Sequence, residues 1–287
     1  MSGVRSQRTN RLPKTDATVG CTMNACHNAA MQSPRNPTRR NRNIGTAAQG
    51  HGQDNVLVIP NRADGLHWLD RIDRYSLEDR IVSGRSVRFI IEETTGNCVH
   101  PCTISDVVHV LQAIPASDWA GLATFVFRQP TRKQLTLSPV WGRLAYAADI
   151  TTSKGKVLSS GPTIYLEAVD VGKSIIWSTS LDPDDLRELD RLRADGHIVK
   201  RAGRKQEIIV TPQSARNTQL YRTLLHEIGH WFDWLSKVEE PLARGEDFDA
   251  LHDAYFARPR PEREAFAHRY ADALRARLEQ IDTIPFS

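Results

Sequence analysis

The stretch Thr223-Leu224-Leu225-His226-Glu227-Ile228-Gly229-His230-Trp231-Phe232-Asp233 carries the pattern H-E-x-x-H. On a helix, His226 and His230 stand one turn apart, about 40° from each other around the axis. Two imidazoles so placed can share one Zn²⁺ without movement of the backbone. Glu227 stands about 60° beyond His230, beside such a metal rather than on it. A carboxylate there can take a proton from water at the metal and pass it to a leaving amine.

The flanking residues agree with a helix. Residues 219–237 contain no proline, and Leu220, Leu224, Ile228, Trp231 and Leu235 form one broad apolar stripe. The two histidines fall just off its edge with Thr223, Glu227 and Trp234, as in a core helix whose flank faces a cleft. Gly229, between the histidines, costs about 1 kcal/mol of helix stability relative to alanine. A glycine there implies close approach of another backbone or of a substrate.

A chain of 287 residues forms one large domain or two small ones. No apolar run approaches the ~20 residues that span a bilayer, so no membrane partner is expected. Residues 1–50 hold eight Lys/Arg against one Asp, a charge of +7 within a whole-chain +4, so the remainder carries −3. Residues 1–54 have almost no large apolar side chain and are expected to be a disordered basic arm. That arm is the one part suited to weak contact with nucleic acid. It lacks the apolar segment of a secretory signal, which makes a cytoplasmic setting the default. Four cysteines in a chain of this length are no disulfide framework. Cys21, Cys26 and His27, and Cys98, His100 and Cys102, have loose structural-zinc spacings, and free thiols are the expectation.

In chain order, residues 55–60 suggest a strand and residues 67–72 a short helix. Residues 86–93 read as a strand, and Thr103 caps a helix that Pro115 stops. Residues 122–128, 134–137, 141–147, 163–169 and 173–178 are strand candidates. Asp182-Pro183 opens a helix ended by Gly196, and residues 197–201 and 206–211 form a hairpin. The motif helix, a loop with Pro241 and Gly245, and a last helix over 261–280 follow. The fold class is α+β with segregated elements rather than alternating β-α-β. The body divides into 55–160 and 161–287, with one continuous domain as the alternative.

A catalytic zinc takes three protein ligands and keeps one position for water. The spacing H-E-x-x-H-x-x-G-x-x-H fails, because Asp233 and Ser236 stand at its glycine and histidine places. The third ligand then comes from a later segment. In the last helix Ala267, Tyr270, Ala271, Leu274 and Leu278 share a face, with Glu264 at its edge. The small Ala267 and Ala271 allow close approach to the motif helix. Glu264 is favoured on this geometry, with Glu262, His268, Asp247, Asp249 and His252 as alternatives. Asp233, near His230, is placed to orient a ligand imidazole.

His226-Glu227-Ile228-Gly229-His230 with a downstream Glu264-Ala265-Phe266-Ala267 resembles the gluzincin branch of zinc metallopeptidases. It is similar in particular to bacterial enzymes and toxins with an E-x-F-A helix, the anthrax lethal factor group. The resemblance covers roughly residues 220–278. It implies zinc ligands His226, His230 and Glu264, Glu227 as general base, and hydrolysis of a peptide or protein substrate. It also implies a zincin-like sheet with an edge strand over the cleft. Residues 163–169, with Thr163 and Tyr165, suit that edge, where an extended substrate can add as a strand. Members often stabilise the oxyanion with a Tyr or His near the last helix, for which Tyr255 and His268 are candidates. The family often has a carboxylate at the place of His268, and this chain departs there.

The rival expectation is a non-catalytic binding or regulatory protein on the same scaffold. Removal of the arm is predicted to leave the fold intact. A chain starting at Asn55 should melt cooperatively at nearly the temperature of the full chain, and a large drop would show that the arm docks.

Overall fold

Alternation of side chains along the strands builds a sheet with two apolar faces. Phe89, Phe125, Phe127, Leu144, Ile164 and Leu166 belong to one buried cluster, and Ile90, Val126, Ala145 and Tyr165 to another. Neighbours in sequence thus pack on opposite faces, as the pleat requires. The computed structural model describes residues 18–19, 71–131, 134 and 140–286.

The main sheet contains β1 (Thr18–Val19), β2 (Tyr75–Val82), β3 (Arg85–Glu92), β5 (Thr124–Arg128), β6 (Gly142–Thr151) and β7 (Val157–Glu167), with β4 (Cys98–Val99) lying outside it. Its order is β1-β6-β7-β5-β3-β2. β3, β5 and β7 run parallel, while β2 and β6 pair antiparallel to their neighbours. The helix α1 (Ile104–Ala113), opened by a Thr103/Asp106 capping box, links the parallel β3 and β5. This β-α-β crossover corrects the expectation of fully segregated elements. The broader assignment, a mixed α+β fold, holds.

A second layer follows. β8 (Val169–Asp170) pairs with β4, and β9 (Ile175–Ser178) joins β10 (Ile198–Ala202) and β11 (Lys205–Ile209) in a three-stranded sheet. The helix α2 (Pro183–Ala194) is capped by Asp182 and packs Leu189 and Leu192 with Trp141, Trp177 and Ile208. β7 runs through residue 160, so the boundary between 55–160 and 161–287 cuts a central strand. The main sheet takes strands from both ranges.

The motif region starts earlier than its apolar stripe indicates. Thr211 opens α3 (Pro212–Thr218) with a capping box, and helical chain continues to α4 (Leu224–Trp234) and α5 (Glu240–Ala243). Two π-helical turns, Gln219–Thr223 and Leu235–Glu239, flank α4. Such wider turns recur at functional sites. Buried Gln219 donates to Trp141 O at 2.8 Å and Glu167 O at 2.9 Å, and accepts from Cys102 Sγ at 3.0 Å. One amide thereby ties the start of the motif region to the ends of β6 and β7.

The stretch expected to be a loop after the motif contains α6 (Phe248–Ala257), and α7 (Arg260–Gln280) closes the helical part. Residues 67–72 form no described helix: Arg71 bridges Thr151, and residues 67–70 lie outside the described residues. So do the expected strand at 55–60, most of 134–137, and the arm except β1, which pairs with Leu144 and Ala145 of β6. Among the described residues no helix is long and apolar enough to cross a membrane.

The closeness that Gly229 implies is met by α7. A Cβ at residue 229 would stand 3.1 Å from both Ala267 Cα and Ala267 O, and 3.0 Å from Tyr270 Cδ1. Two of those atoms are backbone and cannot swing aside. Gly229→Ala is therefore expected to lower the melting temperature, although alanine gains about 1 kcal/mol of intrinsic helix propensity. An equal or raised melting temperature would show that α7 shifts freely.

Candidate metal centre

The α4–α7 seam brings the sequence-predicted donors together. Glu264 Oε2 lies 3.4 Å from His226 Nε2 and 3.4 Å from His230 Nε2. Donors about 2.1 Å from a tetrahedral zinc stand roughly 3.4 Å apart, so both separations match edges of that coordination figure. Glu264 Oε1 turns the other way, toward Arg260 Nε at 3.4 Å. The carboxylate thus presents one oxygen to the histidines.

Burial decides how to read this contact. All four ring nitrogens of His226 and His230 are buried and without a hydrogen-bond partner among the described residues. Leaving several polar atoms so is costly unless something else satisfies them. A cation beside Glu264 Oε2 would satisfy the two Nε2 atoms but neither Nδ1. Protonation states agree. Burial lowers the His226 pKa to about 3, keeping the ring neutral. For Glu264, burial works in the opposite sense but is outweighed by the contacts from His226 and His230, which hold its carboxyl well below the usual range. Neutral imidazole and ionised carboxylate are the forms that bind metal.

His268 completes the cluster. Its ring centroid lies 4.4 Å from that of His226, comparable with 4.6 Å between His226 and His230. Donor atoms of His226, Glu264 and His268 fall within 4.8 Å of one another, the set among the described residues that could hold a metal ion. His230 is outside that set, although its Nε2 lies 3.4 Å from the same Glu264 oxygen. His226, Glu264 and His268 also line a cleft of about 700 Å³ together with Trp141, Trp177 and Thr223.

Several expectations need correction. Glu227 and His230 are 0 % exposed and are not on the cleft wall, so Glu227 does not border the cleft as its helical position suggests. Glu227 lies close to Tyr146: burial chiefly drives that hydroxyl far above its usual pKa, and the Glu227 charge adds to the effect. Thr163 and Tyr165 are not at a sheet edge. β7 is paired with β5 on one side and β6 on the other, and both residues are 0 % exposed. No substrate strand can add there. β6, with β1 on its outer side, lies toward the edge, and α4 packs beneath it.

Asp233 does not orient His230, whose Nδ1 has no partner; Asp233 Oδ2 instead accepts from Arg258 Nη1 at 2.7 Å. The Tyr255 hydroxyl is engaged with Tyr146 Oη at 2.9 Å inside the core, which argues against an oxyanion role. Among the alternative ligands, Glu262 pairs with Arg258 and Asp247 caps α6, while His252 packs against Phe256. The Cys98, His100 and Cys102 grouping gathers no metal set: His100 Nε2 bonds Glu92 O at 2.7 Å, and Cys102 is spent on Gln219. Sequence reasoning missed Gln219 and the cleft walls Trp141 and Trp177. No local pattern marks them, since they reach the site through the sheet order.

The chain matches no family model, and no curated protein or solved structure matches it either.

The buried histidines fix a pH dependence. Burial lowers His226 to about 3 and His268 to about 4, from 6.5. Between those values the unfolded chain binds more protons than the folded one, so stability falls as pH falls. Glu264, depressed from 4.5, adds a further loss below that value. Metal-free protein should thus melt at lower temperature at about pH 5 than at about pH 7, and His226→Gln should flatten the difference. A pH-independent melting temperature over that range would contradict the buried neutral state.

Proposed function

We propose that the protein is a zinc-dependent peptidase whose metal is held by His226, His230 and Glu264. The observation that carries this is Glu264 Oε2 equidistant, at 3.4 Å, from the two histidine Nε2 atoms. The orphaned ring nitrogens support it, because a buried imidazole pair without partners is poorly explained by packing. When bound, zinc polarises a carbonyl and makes water a competent nucleophile near neutral pH.

Glu227, next to His226 on α4, acts as general base. It accepts a proton from the attacking water as the new C–O bond forms. It then returns that proton to the amine nitrogen as the C–N bond breaks. Its burial strengthens its electrostatic interactions by excluding water. The same burial favours a second reading, a closed scaffold that binds metal but does no chemistry, because Glu227 has no access to the cleft in this conformation.

Glu227→Gln separates the two. The substitution is nearly isosteric, and should leave zinc stoichiometry and melting temperature unchanged. Cleavage of a peptide library should fall by about 10²- to 10⁴-fold, the usual effect of general-base loss. Unchanged cleavage would remove Glu227 from the mechanism. A zinc-loaded wild type inert toward the whole library would favour the closed scaffold. Glu264→Ala should release the zinc.

A further inference from the structure

We propose that His268 is a fourth, exchangeable protein ligand that closes the metal centre at rest and must yield its position for substrate to enter. The inference rests on the metal-centre reading above and adds to it. His268 lies one turn beyond Glu264 on α7, so its side chain leaves the helix on nearly the same side. Its ring is as near to His226 as that of His230 is. A donor nitrogen of His268 falls within 4.8 Å of donors of both His226 and Glu264.

The four donors are not equivalent. His230 is sealed in the core, whereas His226, Glu264 and His268 reach the cleft wall. His268 is the partly buried one of the three histidines. The charges around it, Arg191 and Glu188 of α2 and Asp272 of α7, act on its ring through space rather than by hydrogen bonds. Nothing in that set fixes the ring's orientation, so rotation about its side-chain bonds can open one metal position to the cleft. A metal with four protein ligands is closed, and one with three accepts water or substrate. Exchange of His268 converts the first arrangement into the second without moving α4.

The cobalt-loaded full chain tests this. Each ligating imidazole contributes a hyperfine-shifted N–H proton signal, which can be counted. Wild type should give three signals, and His268→Ala or the bulkier His268→Gln should give two. Metal affinity measured by chelator competition should fall by at least the roughly 10- to 100-fold seen even for residues that only support ligands. Both variants should also bind added azide more readily than wild type, as seen in the visible cobalt spectrum. Two signals in wild type, or unchanged affinity in both variants, would overturn the fourth ligand while leaving the peptidase reading intact. Failure of wild type to bind cobalt or zinc would overturn both. The wild-type signal count needs no variant, so poor folding of either substitution leaves the test decisive.

Discussion

The approach of Ala267 to Gly229 is the constraint on which the candidate site depends. The two helices meet backbone to side-chain-free backbone, and Glu264 is the residue one turn before that contact. At ordinary helix separations of 8–10 Å a glutamate one turn away need not reach two histidines with one oxygen. Close contact shortens that reach, and the 3.4 Å separations follow from it. Small residues on both helices are therefore as much a part of the site as its donors.

Much of this was legible in the sequence because it depends on helical periodicity. The spacing of His226 and His230, the edge position of Glu264, and the meaning of Gly229 all follow from 3.6 residues per turn. The same holds for α1 and α2, whose caps at Thr103 and Asp182 are local signals. What failed was non-local. The order β1-β6-β7-β5-β3-β2 is not a sequence pattern, so residues 163–169 suit an edge by sequence although β7 lies inside the sheet. Its continuous apolar run, Ile164-Tyr165-Leu166, is in retrospect the mark of a strand buried on both faces. β2 escaped for the opposite reason: Glu78, Asp79 and Arg80 interrupt any alternation on an exposed edge strand.

Electrostatics separates what is shared by the site from what surrounds it. Arg258 neutralises Asp233, Arg143 pairs with Glu167 at 2.9 Å, and Arg222 meets both Glu188 and Asp195. These buried acids are thus matched by arginines of the chain itself. At the α4–α7 seam the local cation, Arg260, meets only the outer oxygen of Glu264. The inner oxygen faces the His226 and His230 rings, and burial keeps the first of these neutral. That difference sets the seam apart from the ion pairs elsewhere in the core.

The pin made by Gln219 has a consequence for the order of folding. Every donor of the candidate centre lies on α4 or α7, helices close in sequence and joined by short connections, whereas the sheet brings together strands separated by long stretches of chain. Local contacts form before distant ones, since closing long loops costs more entropy. The α4–α7 pair and the β6–β7 hairpin, whose strands are joined by residues 152–156, can therefore each form before they meet. Gln219 then finds the Trp141 and Glu167 carbonyls only when both strands have arrived, which makes this one buried amide a checkpoint between two stages of the same folding reaction.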